Sequence, residues 1–250
     1  MDFSMQDGPA PHDALEPEEQ RQAERHKPLR AKQIHEIIRE EGEAELERDV
    51  GPMVWSGLAA GLSMGFSFLT QAVLSAHLPP GPASHLIASF GYTVGFAIVV
   101  LGRQQLFTES TLTAVLPVLT HRNLKVAAAT AKLWTVVLLA NLVGGWMFAA
   151  ALGVPGLLPE GTEPHLDRLA GKVVEGSFGG TLMRAVFAGW LIALMVWLLP
   201  SAKSACLLVI VLLAWVVAAA EVSHIVAGNA EAAWAVLRRS EEHTSELQSH

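Results

Sequence analysis

An all-α membrane protein with several spans is the fold class this sequence predicts, and three observations carry the prediction. Long apolar blocks follow one another from Pro52 onward, most near the roughly 20 residues a helix needs to cross a bilayer. The connections between them are short and carry Pro, Gly and Ser, residues that end helices. Charge is sparse: 51% of the chain is hydrophobic and 16% charged, against about 25% charged in soluble domains, and mean hydropathy is +0.37.

The elements follow in order. Met1 to about Pro28 is rich in Pro, Glu, Gln and Asp, a composition that predicts disorder. In "AKQIHEIIREEGEAELERD", Ile34, Ile37, Ile38 and Leu46 fall on roughly one helical face. The expectation is a solvated leader helix rather than a membrane anchor. The first span runs from Met53 to about Leu78 and is closed by "LPPGP". The second covers His85 to Leu101, where "GRQQ" and "TEST" interrupt it; Thr111 to Leu119 is apolar again. Neither half is expected to cross a membrane alone. The third covers Leu124 to Leu152, with a Pro/Gly-rich loop from Gly153 to Gly171 after it. The fourth covers Gly180 to Leu199 and is expected to stop at Pro200. The fifth begins at Leu207, breaks at "EVSH" after Ala220, and resumes at Ile225.

Basic residues lie in "THRNLK", "PSAK" and the N-terminal flank, which places all three in the cytoplasm. The N-terminus carries no secretory signal, so the first span serves for insertion. Gly57, Gly61 and Gly65, then Gly91 and Gly95, recur at four-residue spacing and predict close helix packing. The single cysteine, Cys206, excludes a disulfide within the chain and is expected to be buried and inert. No cofactor or metal is indicated, and no nucleic-acid partner. The spans offer neither His-x-x-x-His nor paired-carboxylate spacing, so an intramembrane metalloenzyme is not expected.

The final "RSEEHTSELQS" matches, residue for residue, the translation of a common sequencing-library adapter. The expected organisation is a polar cytoplasmic extension over 1–50, a membrane domain over 51–238, and an artefactual tail over 239–250. A sixth span is then expected beyond residue 238.

Two interrupted spans, the second and the fifth, suggest two three-helix halves of inverted topology. Backbone leaves a helix at bilayer depth only where it is buried in protein or lines a polar cavity. Transport folds put their sites at such breaks. The motifs add a specific resemblance. "LGRQQLFTESTLTAVLP" resembles the second-helix break of the formate/nitrite transporter family. "EVSHIVAG" is similar to that family's fifth-helix break with its central histidine. "NLVGGW" and "RAVFAGWLIALMVWL" fit the third and fourth helices. The resemblance spans about Ile34 to Leu237. It implies an aquaporin-like inverted repeat, a homopentamer with one pore per protomer, and passage of small monovalent anions or weak acids through a cell (inner or plasma) membrane.

By the same resemblance, Leu106, Phe107 and Thr108 form the pore-lining loop and His224 is the central histidine. Lys172 draws anions toward the mouth, and Tyr92 and Val217 stand at the constriction. Gly189 replaces a fourth-helix asparagine, and Gly228 replaces the asparagine after the histidine. Those replacements keep a second class open, a membrane scaffold or sensor with a closed pore. Glu109 and Glu221, each beside a break, are expected to cap helices. Arg103 is expected to pair with an acid or snorkel, and Arg184 to reach the outer interface. Four tryptophans in or near spans (Trp134, Trp146, Trp190 and Trp197) need only packing or interface roles.

Overall fold

The computed structural model describes Glu18 and residues 29–248, with side chains at all of these except 82, 174 and 241–248. The expectation of disorder for Met1 to Pro28 lies outside those residues, Glu18 apart. Among the described residues every regular element is helical.

Helix α1 (Ala31–Leu46) opens where the Gln33 side chain accepts a hydrogen bond from Arg30 N at 2.8 Å. It is not a solvated leader. Ile34 and Ile38 are buried against Leu112, Leu116, Val196 and Trp197. Gly42 lets it lie on backbone: a Cβ there would come within 2.1 Å of Thr113 O. The stripe at four-residue spacing finds an apolar partner surface, which stabilises docking by roughly 1.5–3 kcal/mol per buried Ile.

Helix α2 (Val50–His77) is the central post, packed on α3 (Pro82–Leu101) and α5 (Leu124–Leu152). The glycine spacing is used as expected. A Cβ on Gly61 would come within 2.2 Å of Asn141 O, and one on Gly91 within 2.6 Å of Gln71 N. Helix α3 has Pro82 in its first turn and 20 residues, roughly 30 Å. It is long enough to cross alone, contrary to the expectation for that half-segment. Helix α4 (Phe107–His121) is shorter and ends at Arg122 in the left-handed region, φ +49°. Asn123 Oδ1 then caps α5 by accepting from Val126 N at 2.9 Å.

The expected loop from Gly153 to Gly171 contains a helix, α6 (Glu163–Val174). Its apolar face is too short to read as a span. Leu166 and Ala170 sink into a cluster with Phe148, Leu152 and Trp234. Helix α7 (Phe178–Ala202) passes through Pro200 and stops two residues later, before Lys203 at φ +46°. Pro200 lacks the N–H that would bond the Val196 carbonyl, and the helix ends within a turn of it. A 3₁₀ turn (Lys203–Ala205) leads to α8 (Cys206–Ala219), and α9 (Ile225–Gln248) follows the second break. Cys206 is half-buried at the start of α8, not within its apolar run, and its Sγ–H donates to Lys203 O at 2.9 Å. The boundary expected at residue 238 falls inside α9.

Among the described residues, four stretches are long and apolar enough to cross a membrane: Val50–His77, Ala83–Leu101, Leu124–Leu152 and Phe178–Ala219. The last contains α7, the turn and α8. Helix α7 buries only Ala188, Ile192, Met195 and Val196. Phe178, Leu182, Val186, Phe187 and Trp190 on it are exposed, a face built for lipid or another subunit.

Candidate functional site

Both breaks are built the same way. After α3, Arg103 N donates to Val100 O at 3.2 Å and Gln104 N to Val99 O at 3.0 Å. After α8, Glu221 N donates to Ala218 O and Val222 N to Val217 O, each at 3.1 Å. This is the Schellman pattern, with its left-handed residue at Arg103 (φ +48°) and at Glu221 (φ +51°). Glycine usually holds that position; a charged side chain there is strained by about 1–2 kcal/mol. The charges are opposite and each is engaged. Arg103 approaches Glu41 of α1 at 3.9 Å. Glu221 is 2.5 Å from Lys172 Nζ and 3.3 Å from His85 Nε2. Glu221 therefore pairs with Lys172 rather than capping a helix, while Glu109 lies in the first turn of α4.

From each Schellman turn the chain bends back, and helices α4 and α9 start where the two breaks meet. Their first residues touch. Thr108 Oγ1 and His224 Nε2 are 2.9 Å apart. His224 is 4% exposed, and Phe96 meets its ring edge-on at a centroid distance of 5.0 Å. Ala227 N donates to His224 Nδ1 at 3.3 Å. Nδ1 is therefore an acceptor, and in the neutral ring Nε2 carries the proton and donates it to Thr108 Oγ1. Protonation at Nδ1 removes that acceptor, so a charged imidazole and the first-turn bond of α9 exclude each other.

Two asparagines fix the breaks onto α5. Asn141 is fully buried. Its Oδ1 accepts from Phe107 N at 2.9 Å, and its Nδ2 donates to Gly57 O at 2.8 Å and Gln105 O at 2.9 Å. Asn229, in the first turns of α9, donates to Leu142 O at 3.0 Å and packs on Gly145.

A cavity opens on either side of this contact. One, of about 500 Å³, is lined by Tyr92, Lys172, Arg184, Val217, Glu221 and His224, among others. The other, of about 640 Å³, lies toward α1 and is lined by Glu41, Glu45, Arg103, Leu106 and Glu109, among others. Between them lies an apolar cluster that includes Tyr92, Phe96, Leu106, Ile192, Ile210 and Val217. Two cavities thus stand apart, with this apolar cluster between them.

Residues 32–247 match the formate/nitrite transporter family. The chain belongs to that family. It is 42% identical over 204 residues to the inner membrane protein YfdC of Escherichia coli (strain K12), covering 82% of this chain and 66% of that protein. It is 27% identical over 179 residues to the formate channel BtFdhC of Bacillus thuringiensis, covering 69% of this chain and 66% of that protein. This chain thus spans just under two thirds of the length of the curated relatives it matches. A solved pentameric formate channel with formate bound shares the fold, with a TM-score of 0.67 at 20% identity and 75% of each chain covered. Formate/nitrite transporters move ions across membranes rather than catalyse reactions, and this family member is accordingly a membrane protein.

Of the residues singled out from the sequence, Thr108 and His224 are in contact, and Tyr92, Val217 and Lys172 line the cavity next to His224. Leu106 is buried and lines the opposite cavity. Phe107 packs on the central apolar cluster while Asn141 holds its N–H. Gly189 is not among them: it is exposed, with open space where a Cβ would stand. Gly228 and Arg184 both line the His224 cavity, so Arg184 faces the path rather than the outer interface alone.

Three participants escaped the sequence reading. Asn141 opens the "NLVGGW" stretch, which is matched to a helix but given no role. Phe96 looked like any core aromatic. Glu231 lines the His224 cavity; its only sequence signal is an acid inside the weakly apolar segment after the second break.

Proposed function

We propose that this protein carries small monovalent anions or their weak acids across a cell membrane, with His224 governing the proton that travels with them. The observation that carries the reading is the Thr108–His224 contact between two facing cavities. A bare anion among the apolar side chains between them would be very costly. Two features lower that cost. Helices α4 and α9 both begin at the contact, so two positive helix ends flank the same point. An anion approaching the His224 imidazole favours its taking up a proton, so anion and proton pass as a near-neutral pair.

The native assembly on this reading is a homopentamer with a pore in each protomer, and the exposed face of α7 supports it. The two breaks, each bent back by a Schellman turn, support an inverted repeat of three plus three helices. The α1 face is the cytoplasmic one. Helix α1 packs beside Val196 and Trp197 near the end of α7, and His121 at the end of α4 bonds Glu43 at 2.7 Å. The basic loops after α4 and α7 therefore share its side of the membrane.

Uptake of formate, nitrite, acetate and hydrosulfide into proteoliposomes across pH tests the reading. Faster uptake at acidic pH is expected. A reconstituted protein that carries none of the four would instead favour a non-transporting scaffold of the same fold.

A further inference from the structure

The cavity beside His224 does not offer its lysine free. Lys172 Nζ is bonded to a Glu221 carboxylate oxygen at 2.5 Å, and His85 Nε2 lies 3.3 Å from the same oxygen. Arg184 and Glu231 line the same cavity, so cations and acids are nearly balanced at its mouth. The Lys172 and Glu221 side chains are each about half exposed (47% and 49%), and His85 is 38% exposed. They meet across open space rather than inside packed protein.

Glu221 has two properties that matter here. Its backbone is fixed by the Schellman turn at φ +51°, while its side chain reaches into the cavity. Its terminal group is a carboxylate, the same chemical class as formate. We infer that Glu221 is a tethered stand-in for the transported anion, holding Lys172 until an incoming anion displaces it. This rests on the transport reading above and adds the feature that sets affinity at this mouth.

The physical case is one of competition. A group on a short tether faces its partner at an effective concentration of about millimolar. A free monovalent anion must reach a comparable level to win Lys172. An exposed ion pair is weak enough to yield. The result is a site that collects anions without trapping them, which conduction requires: binding must be strong enough for entry and weak enough for exit. Glu221 lies three residues before His224, on the same bent-back segment.

The test uses the full chain in liposomes, with initial uptake of labelled formate measured against its concentration. Glu221→Gln removes the charge. Glu221→Asn removes it too and suits the left-handed backbone better, so it covers a folding defect in the first variant. Both should lower the half-saturating formate concentration by about two- to five-fold, the worth of an exposed ion pair. Raised salt should bring them back toward wild type. Lys172→Met should raise half-saturation, and adding Glu221→Gln to it should give no further gain. Unmoved or raised half-saturation in both Glu221 variants overturns the inference. So does an equal gain in the Lys172→Met background, which marks a general field effect. A wild type that takes up no formate, nitrite, acetate or hydrosulfide overturns the transport reading and this inference together. Wild-type uptake with unmoved Glu221 variants overturns this inference alone.

Discussion

His224 and Asn141 are two buried polar side chains with different work. His224 has one nitrogen on the cap of α9 and one on Thr108. Replacing it by Asn keeps a polar group there but removes the titratable one, so uptake should lose its acceleration at acidic pH. Initial rates from about pH 5 to 8 read this directly, and an unchanged profile would sink the proton role. Thr108→Val removes the hydroxyl at nearly constant shape. It should impair flux while leaving the detergent melting temperature close to wild type. Asn141 is structural. Its removal in Asn141→Ala strands the Phe107 N–H and the Gln105 carbonyl at the first break and takes a second donor from Gly57 O in α2; a buried unpaired group costs about 1–3 kcal/mol. A large drop in melting temperature and loss of uptake are expected together, and stability within a degree of wild type would contradict the geometry.

Among the elements, α2 and α5 lie almost backbone to backbone at Gly61, and α1 lies on α4 at Gly42. Gly61→Val cannot be accommodated by a side-chain shift, because the nearest atom is the Asn141 carbonyl oxygen at 2.2 Å from the added Cβ. It should displace α5, and with it the Asn141 grip on the first break. Poor folding yield by size-exclusion chromatography is the readout. Helix α1 is also tied by charge. His121 bonds Glu43, and Arg39 bonds it as well. The bond from His121 first, then that from Arg39, holds the Glu43 carboxyl below its ordinary value of 4.5. A depressed carboxylate pKa stabilises the folded form above the unfolded value, and that contribution disappears as pH falls through the folded one. The Glu43 tie should therefore persist through neutral and mildly acidic pH and loosen only below about 4.5. Hydrogen exchange of α1 amides against pH measures it. Loosening already well above pH 4.5 would contradict the assignment.

At the scale of the whole molecule, one broad surface is unpartnered. It includes Phe178, Leu182, Val186, Phe187 and Trp190 on α7, with Leu207, Leu208 and Leu212 on α8. Lipid can cover such a surface, but so can a neighbouring subunit. Native mass spectrometry in mild detergent should give a pentamer, and Val186→Glu with Trp190→Glu should weaken it if that stripe forms the subunit contact. A monomer as the only species from the native protein would remove the pentamer from the proposal.

The sequence by itself determined the membrane class, the order of the spans and the sites of both breaks. Each rests on local chemistry: apolar runs of bilayer length, prolines that end helices, and polar residues where an apolar run should continue. The resemblance carried by the motifs at those breaks pointed to Thr108 and His224. The local signals misjudged α1, read as a solvated leader helix, and α6, hidden in a Pro/Gly-rich stretch. They also stopped a helix at Pro200 that runs on to Ala202. Only the tertiary structure decided what meets across the chain. Thr108 and His224 are 116 positions apart, Lys172 and Glu221 49, and Phe107 and Asn141 34. A hydrogen bond between such residues depends on how whole helices pack, and packing is set by surfaces that no local pattern encodes. That is why Lys172 and Glu221 were each legible in the sequence, and the bond between them was not.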